Sequence, residues 1–232
     1  MFEHVKLDTP IEDLTTSQVD GMRFYKTPND LLLPSITTVL GAKEKPWLED
    51  WRKMLGAKKA KSETERCAER GTAVHLMCER YLNNVDIEDV LKDQERTNIK
   101  MFNQMKLAIF KRVNNIHAQE VALYSETIGT AGRTDLIAEY DGVLSVVDFK
   151  TSNGNKDEKM IQDYFLQSTA YAIMYYQMYG IPIEDIVIVM GVEKGMMPLV
   201  FKEKIDNFVA PLLQRVDEFY KKKGQQILEA NS

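Results

Sequence analysis

The sequence predicts an α/β fold in which a central mixed β-sheet is flanked by helices on both faces. Three observations predict it. Helical patterning comes first, then three strand-like runs, a helix, two more strands and a last helix, an order that suits a sheet covered on two sides. Asp141-Gly142 sits between apolar, β-prone runs, the strongest short-range signal for a two-residue hairpin of type I′. The run Val143-Leu144-Ser145-Val146-Val147-Asp148-Phe149 is apolar on both faces of a strand, which makes it central.

Taken in order, Met22–Tyr25 and Pro34–Leu40 read as short strand and turn pieces, with Ser35 or Thr37 placed to cap a short helix. Trp47, Leu48, Trp51 and Leu55 recur at helical spacing and predict a helix over 46–60. Ser62-Glu63-Thr64-Glu65 offers a capped start for a second helix over 62–82. A third is expected over 89–116. Strands follow near 119–125, 132–140 and 143–150, then a helix over 157–179 stopped by Gly180. Strands at 185–193 and 197–203 and an amphipathic helix over 206–223 complete the chain. Neither an internal repeat nor a low-complexity linker interrupts it, so residues 1–232 are read as one domain.

Composition narrows the class. With 44% hydrophobic and 28% charged residues, the chain has the make-up of a soluble globular protein. No apolar run approaches the ~20 residues needed to span a bilayer. The N-terminus has neither a signal-peptide core nor the acid-poor, Arg-rich character of a transit peptide, which predicts a cytoplasmic location. Cys67 and Cys78 are too few for a disulfide framework or a four-thiolate cluster, and both fall in a helical stretch as packing thiols. The net charge of −5 argues weakly against nonspecific grip on a polyanion, but the basic residues are clustered. Arg52, Lys53, Lys58, Lys59 and Lys61 form one group and Lys221–Lys223 another; either serves as a solvated face, and the first is the better placed for phosphate.

The chemistry concentrates in Gly132-Arg133-Thr134-Asp135 and Asp148-Phe149-Lys150. If Tyr140 pairs with Val143 across the turn, Asp135 falls directly opposite Asp148, with Cβ atoms roughly 4.5–5.5 Å apart. Lys150 then projects from the same face as Asp148. Two like charges so placed destabilise a ladder unless a cation neutralises them, and a carboxylate on a buried strand is expensive without a partner. Hard cations such as Mg²⁺ take one or two carboxylates together with substrate phosphate and water. A lysine beside them can orient a water or meet charge developing on phosphorus.

Other residues can join this centre. His75 shares a helical face with Glu79, so an imidazole ligand could be oriented by a carboxylate, although a lone helical histidine more often packs or faces solvent. Gly71, one turn earlier, would permit close approach of the helix. Gln167 and Tyr171 also share a face and offer an amide and a phenol, unless Tyr171 is simply packed. Glu120 is a further acidic candidate. Trp47 and Trp51 either wall a passage for one nucleic-acid strand or anchor a short helix in the core.

His75, Gly-Arg-Thr-Asp135, Asp148-Phe-Lys150 with Thr151 after it, and Gln167-Ser-Thr-Ala-Tyr171, in this order, resemble the PD-(D/E)xK nucleases of the RecB type. Pro34–Leu40 followed by Trp47, Leu48 and Trp51 resembles the N-terminal segment of the mitochondrial genome maintenance exonucleases and their phage relatives. Together the resemblance covers residues 34–180. It implies a restriction-endonuclease-like core, with His75, Asp135, Asp148 and the Phe149 carbonyl as metal ligands. Lys150 would be the catalytic lysine, and Gln167 and Tyr171 would position substrate or water. Arg133 and Thr151 beside these motifs, with Lys58 and Lys59 of the basic group, are the candidate substrate contacts.

The implied activity is a Mg²⁺- or Mn²⁺-dependent DNA exonuclease acting on single-stranded ends in replication, repair or recombination. Residues 1–61 would be its substrate-contacting segment. A structure-specific or restriction-type endonuclease shares the same site, and a catalytically silent DNA-binding module shares the fold. The four cysteines of the family's iron–sulfur branch are missing, so no cluster is expected, nor is a membrane partner. The missing mitochondrial presequence favours a bacterial or phage origin.

Overall fold

A computed structural model describes residues 1–7 and 12–231. The N-terminal part is a small antiparallel sheet of β1 (Thr16–Val19), β2 (Met22–Lys26) and β3 (Leu32–Pro34), in that order. Asp20 and Gly21 turn β1 into β2 with φ of 50° and 75°, the left-handed pair that a type I′ turn requires. Ser35 caps α1 (Ile36–Gly41), accepting the Thr38 N–H at 3.0 Å.

Four helices follow: α2 (Pro46–Leu55), α3 (Ala57–Leu82), α4 (Ile87–Leu91) and α5 (Arg96–Ile109). The chain then forms β4 (Val113–Ser125), β5 (Thr130–Tyr140) and β6 (Val143–Ser152). A 3₁₀ turn (Glu158–Ile161) leads into α6 (Gln162–Tyr179), then β7 (Asp185–Val192), β8 (Leu199–Lys204) and α7 (Asp206–Ala230).

The main sheet has the order β4-β5-β6-β7-β8 and is antiparallel except for the parallel pair β6–β7. A parallel neighbour needs a crossover, and α6 supplies it. β6 is the middle strand, as its two-faced apolar pattern requires. On one face Val74, Met77, Phe102 and Met105 of α3 and α5 pack with Leu136, Val147 and Val187. On the other, Phe165 and Tyr175 of α6 and Leu212 and Phe219 of α7 pack with Ile137, Val146 and Ile188. This is the predicted mixed sheet with helices on both sides. No helix among the described residues is long and apolar enough to cross a membrane.

Several element bounds differ from expectation. The helix expected over 89–116 is two shorter helices, because Asp93 (φ 58°) breaks it after α4 and Lys111 (φ 65°) ends it after α5. Residues 113–116 belong instead to β4, which bulges around Ile116. Ser62 caps nothing: the helix over 46–60 is cut at Gly56 (φ 78°), and α3 begins directly at Ala57. The last helix runs on to Ala230. In α2 no residue is buried and Trp47 is 63% exposed, so Trp47 does not anchor that helix in the core.

Candidate metal and catalytic site

The β5–β6 hairpin has the predicted register, from Tyr140 opposite Val143 to Leu136 opposite Val147. One step further would pair Asp135 with Asp148, and there the ladder ends. From that point β6 continues along β7, with Asp148 beside Ile188 and Ser152 beside Val192. The two aspartates therefore stand where the sheet splits, and the Phe149 N–H donates to Asp135 Oδ2 at 2.7 Å.

Asp148 is 1% exposed, and neither of its carboxylate oxygens accepts a hydrogen bond. The Lys150 ammonium stands 2.5 Å from Oδ2 as an ion pair without hydrogen-bond geometry. Burial pushes the Asp148 carboxyl up to about 6, with the Lys150 charge opposing. Lys150 is itself desolvated, yet Asp148 and Asp135 outweigh that and hold the ammonium charged. Its Nζ also lies 5.1 Å from the centre of the Tyr164 ring, a cation–π contact.

Asp135 is held low against its burial, first by His75, whose Nδ1 is 3.6 Å from Oδ2, and then by Lys150 and the Phe149 N–H. The same contact raises the imidazole's affinity for a proton, although burial opposes it. His75 thus pairs with Asp135 rather than with Glu79, and the Phe149 ring meets it edge-on at 6.3 Å.

Glu120 completes the cluster. It lies across from Asp135 in the β4–β5 ladder, between the pairs Gln119–Leu136 and Val121–Thr134. Its φ of 49° is in a region that non-glycine residues use sparsely and that clusters at functional sites. The Arg133 guanidinium holds the strand there, donating to the Glu120 carbonyl and pairing with Asp13. Burial, with help from Asp135, pushes the Glu120 carboxyl up to about 7. His75, Glu120 and Asp135 bring ligand atoms within 4.8 Å of one another. Two carboxylates, an imidazole and the buried, hydrogen-bond-free carboxylate of Asp148 are a donor set that fits a divalent cation.

The remaining candidates stand further back. Gln167 Nε2 donates to the Tyr171 hydroxyl at 2.9 Å, and the Tyr171 ring is buried against Gly132. A Cβ at position 132 would come within 2.8 Å of that ring, which explains a glycine just before Arg133. Thr151 is half-buried beside Gly191 on β7, where α3 passes at Gly71. Lys58 and Lys59 are exposed at the start of α3, and Lys59 lines a cleft of about 440 Å³ with Trp51, Leu55 and Asn153. Both cysteines are free thiols, and Cys78 is buried in the core.

Sequence reasoning missed the clamp that fixes α3. Arg66 bridges Glu63 and Glu193, while Arg70, 5% exposed, pairs with Glu193 and donates to Asn153 Oδ1 at 2.6 Å. The Arg66 hydrogen bond holds the Glu63 carboxyl down at about 2. This network ties the His75 helix to the loop after β6 and to the end of β7. Arginines one helical turn apart were the only sequence signal for it.

The human protein named mitochondrial genome maintenance exonuclease 1 is 28% identical to this chain in an alignment 215 residues long that covers 85% of the chain and 61% of that protein. The chain thus spans about three fifths of that relative's length. The crystal structure of a candidate exonuclease from Eubacterium rectale aligns with a TM-score of 0.45 at 13% identity, over 70% of this chain and 67% of that one, too slight a likeness to build on. The pattern of the PD-(D/E)XK nuclease superfamily matches residues 50–196. That span holds the split hairpin, the His75 helix and the Gln167–Tyr171 pair, and the chain belongs to the PD-(D/E)XK nuclease superfamily.

Proposed function

We propose that this protein is a Mg²⁺- or Mn²⁺-dependent deoxyribonuclease that removes nucleotides from single-stranded DNA ends. One observation carries the reading: a fully buried Asp148 whose carboxylate has the Lys150 ammonium as its one close polar partner among the described residues, set beside Asp135 where two strands part. Such a group persists only if something compensates it. In this reading Asp135, Asp148, His75 and the Phe149 carbonyl hold the ion, with Glu120 within reach. A divalent cation held by these residues would supply positive charge to the nonbridging phosphate oxygens and to the departing 3′-oxygen.

The chain's own groups do the rest. Lys150, kept charged by Asp148 and Asp135, holds an attacking water and meets charge on the phosphate. The Phe149 N–H and His75 keep Asp135 oriented. Tyr171, packed on Gly132 and hydrogen-bonded by the Gln167 amide, holds β5 in place against α6. Arg133 fixes the backbone at Glu120, and Thr151 and the exposed Lys58 and Lys59 contact the substrate backbone. Residues 1–61 act with the core as one nuclease domain, and the unburied α2 walls a narrow passage.

The name of the human relative supports an exonuclease, and the exposed Trp47 supports stacking of unpaired bases. The test is digestion of end-labelled linear and closed circular single-stranded DNA with Mg²⁺. Linear strands should be shortened from an end while circles persist, and chelation should stop the reaction. Rapid cutting of circles would favour the endonuclease reading. Inactivity with every DNA form and divalent metal would favour a silent binding module. Lys58→Glu with Lys59→Glu should weaken single-stranded binding without lowering the melting temperature.

A further inference from the structure

A second basic surface, built around the exposed Trp47, lies close to Lys150. Between α2 and the start of α6 lies a cleft of about 620 Å³, the size of a small-ligand site. Lys43, Trp47, Lys156, Lys159, Met160 and Asp163 are among its walls. Trp47 is 63% and Met160 57% exposed, two large apolar side chains at one opening. Five cationic side chains line the cleft against two acidic ones. Of the acids, Asp163 is already matched by Lys45 at 2.9 Å and Arg215 at 3.4 Å. Lys43, Lys156 and Lys159 make no ion pair among the described residues, so the surplus is positive and uncommitted.

The place of this cleft in the fold gives it meaning. Asp163 is on its wall, and the next residue, Tyr164, turns its ring to the Lys150 ammonium. Consecutive residues of α6 therefore face the basic cleft and the group placed at the scissile phosphate. We infer that this cleft seats the single strand beside the bond being cut, with a base stacked on Trp47 and phosphates held by Lys43, Lys156 and Lys159. Stacking on an exposed indole reads no sequence and needs an unpaired base, while the lysines neutralise the backbone. The volume is of the order that a nucleotide or two would fill. This inference rests on the nuclease reading above and names the surface that selects its substrate.

The experiment uses the full chain without divalent metal, so that DNA is bound and not cut. Trp51→Phe leaves Trp47 as the single tryptophan of the two in the chain. A short oligothymidylate should quench the emission of Trp47, and a blunt duplex of equal length should not. Lys156→Gln with Lys159→Gln should weaken that binding at least tenfold at low salt. It should also flatten the dependence of log affinity on log salt by about 1.4, two contacts at ~0.7 each for single strands. Its melting temperature, taken alongside, should match the wild type. Binding with no change in Trp47 emission, or a double variant with the wild-type salt slope, overturns the cleft while the nuclease reading stands. Equal quenching by the duplex overturns the single-strand assignment. A wild-type protein that neither binds nor cuts single strands removes the nuclease reading and this inference together.

Discussion

The two ends of the β5–β6 hairpin carry aspartates in opposite circumstances. At the turn, Asp141 is 37% exposed and fully matched: Arg112 grips both oxygens at 2.9 and 3.0 Å, and Lys202 stands 2.5 Å away. Its carboxyl is held below the usual range, first by the Arg112 hydrogen bond and then by Lys202. At the split end, Asp148 is buried, has one cation beside it and no hydrogen bond, and burial lifts its carboxyl to about 6. A charge that serves the fold is placed where water and arginine satisfy it. A charge retained where neither does so points to chemistry.

Substitutions can break this contrast, starting with the largest effect. Asp148→Ala should lower turnover on the order of 10³-fold or more and abolish Mn²⁺ binding in a calorimetric titration. Binding of Mn²⁺ as tight as in the wild type would place the site elsewhere. Lys150→Ala should cost about 10²–10³-fold in turnover while Mn²⁺ and DNA affinities change little, because its contribution belongs to the transition state. Parallel loss of all three would make Lys150 a structural partner of Asp148.

Removing the buried pair together sharpens the point. Asp148→Leu with Lys150→Met should be inactive yet melt at or above the wild-type temperature, since apolar replacement of a buried ion pair is often neutral or stabilising. Gly132→Ala tests the wall behind the site, where the new methyl meets the Tyr171 ring at 2.8 Å. It should cost about 1–3 kcal/mol in denaturant unfolding, as overpacking does, and lower activity with it. Asp141→Ala should give the smallest effect, about 0–1 kcal/mol, with turnover unchanged. A larger loss of turnover there would mean that the turn end communicates with the site.

The hairpin was legible because its causes are local. Asp141-Gly142 carries its own left-handed backbone, φ 53° and 81°, and side-chain alternation then brings Asp135 and Asp148 together. The stretch 89–116 departs from the single helix that its pattern predicts because the breaks sit on Asp93 and Lys111, both with positive φ, where no glycine or proline announces them. Glu120 adopts the same conformation at φ 49°, held by the β4–β5 ladder and by the Arg133 contact to its carbonyl. The Arg66–Arg70 clamp depends on Glu193, far along the chain, and was invisible for that reason.

By itself, then, the sequence determined the pairing of β5 with β6, the central place of β6, and which acids and which lysine share one end of it. Those follow from turn chemistry and two-residue periodicity, which act over a few neighbours. Only the tertiary structure decided that Asp148 is buried without a hydrogen bond, that His75 turns to Asp135, that Glu120 joins them, and that Gly132 is the floor for Tyr171. Burial and left-handed backbone at non-glycine residues come from packing between distant segments, and one-dimensional spacing does not encode which segments meet.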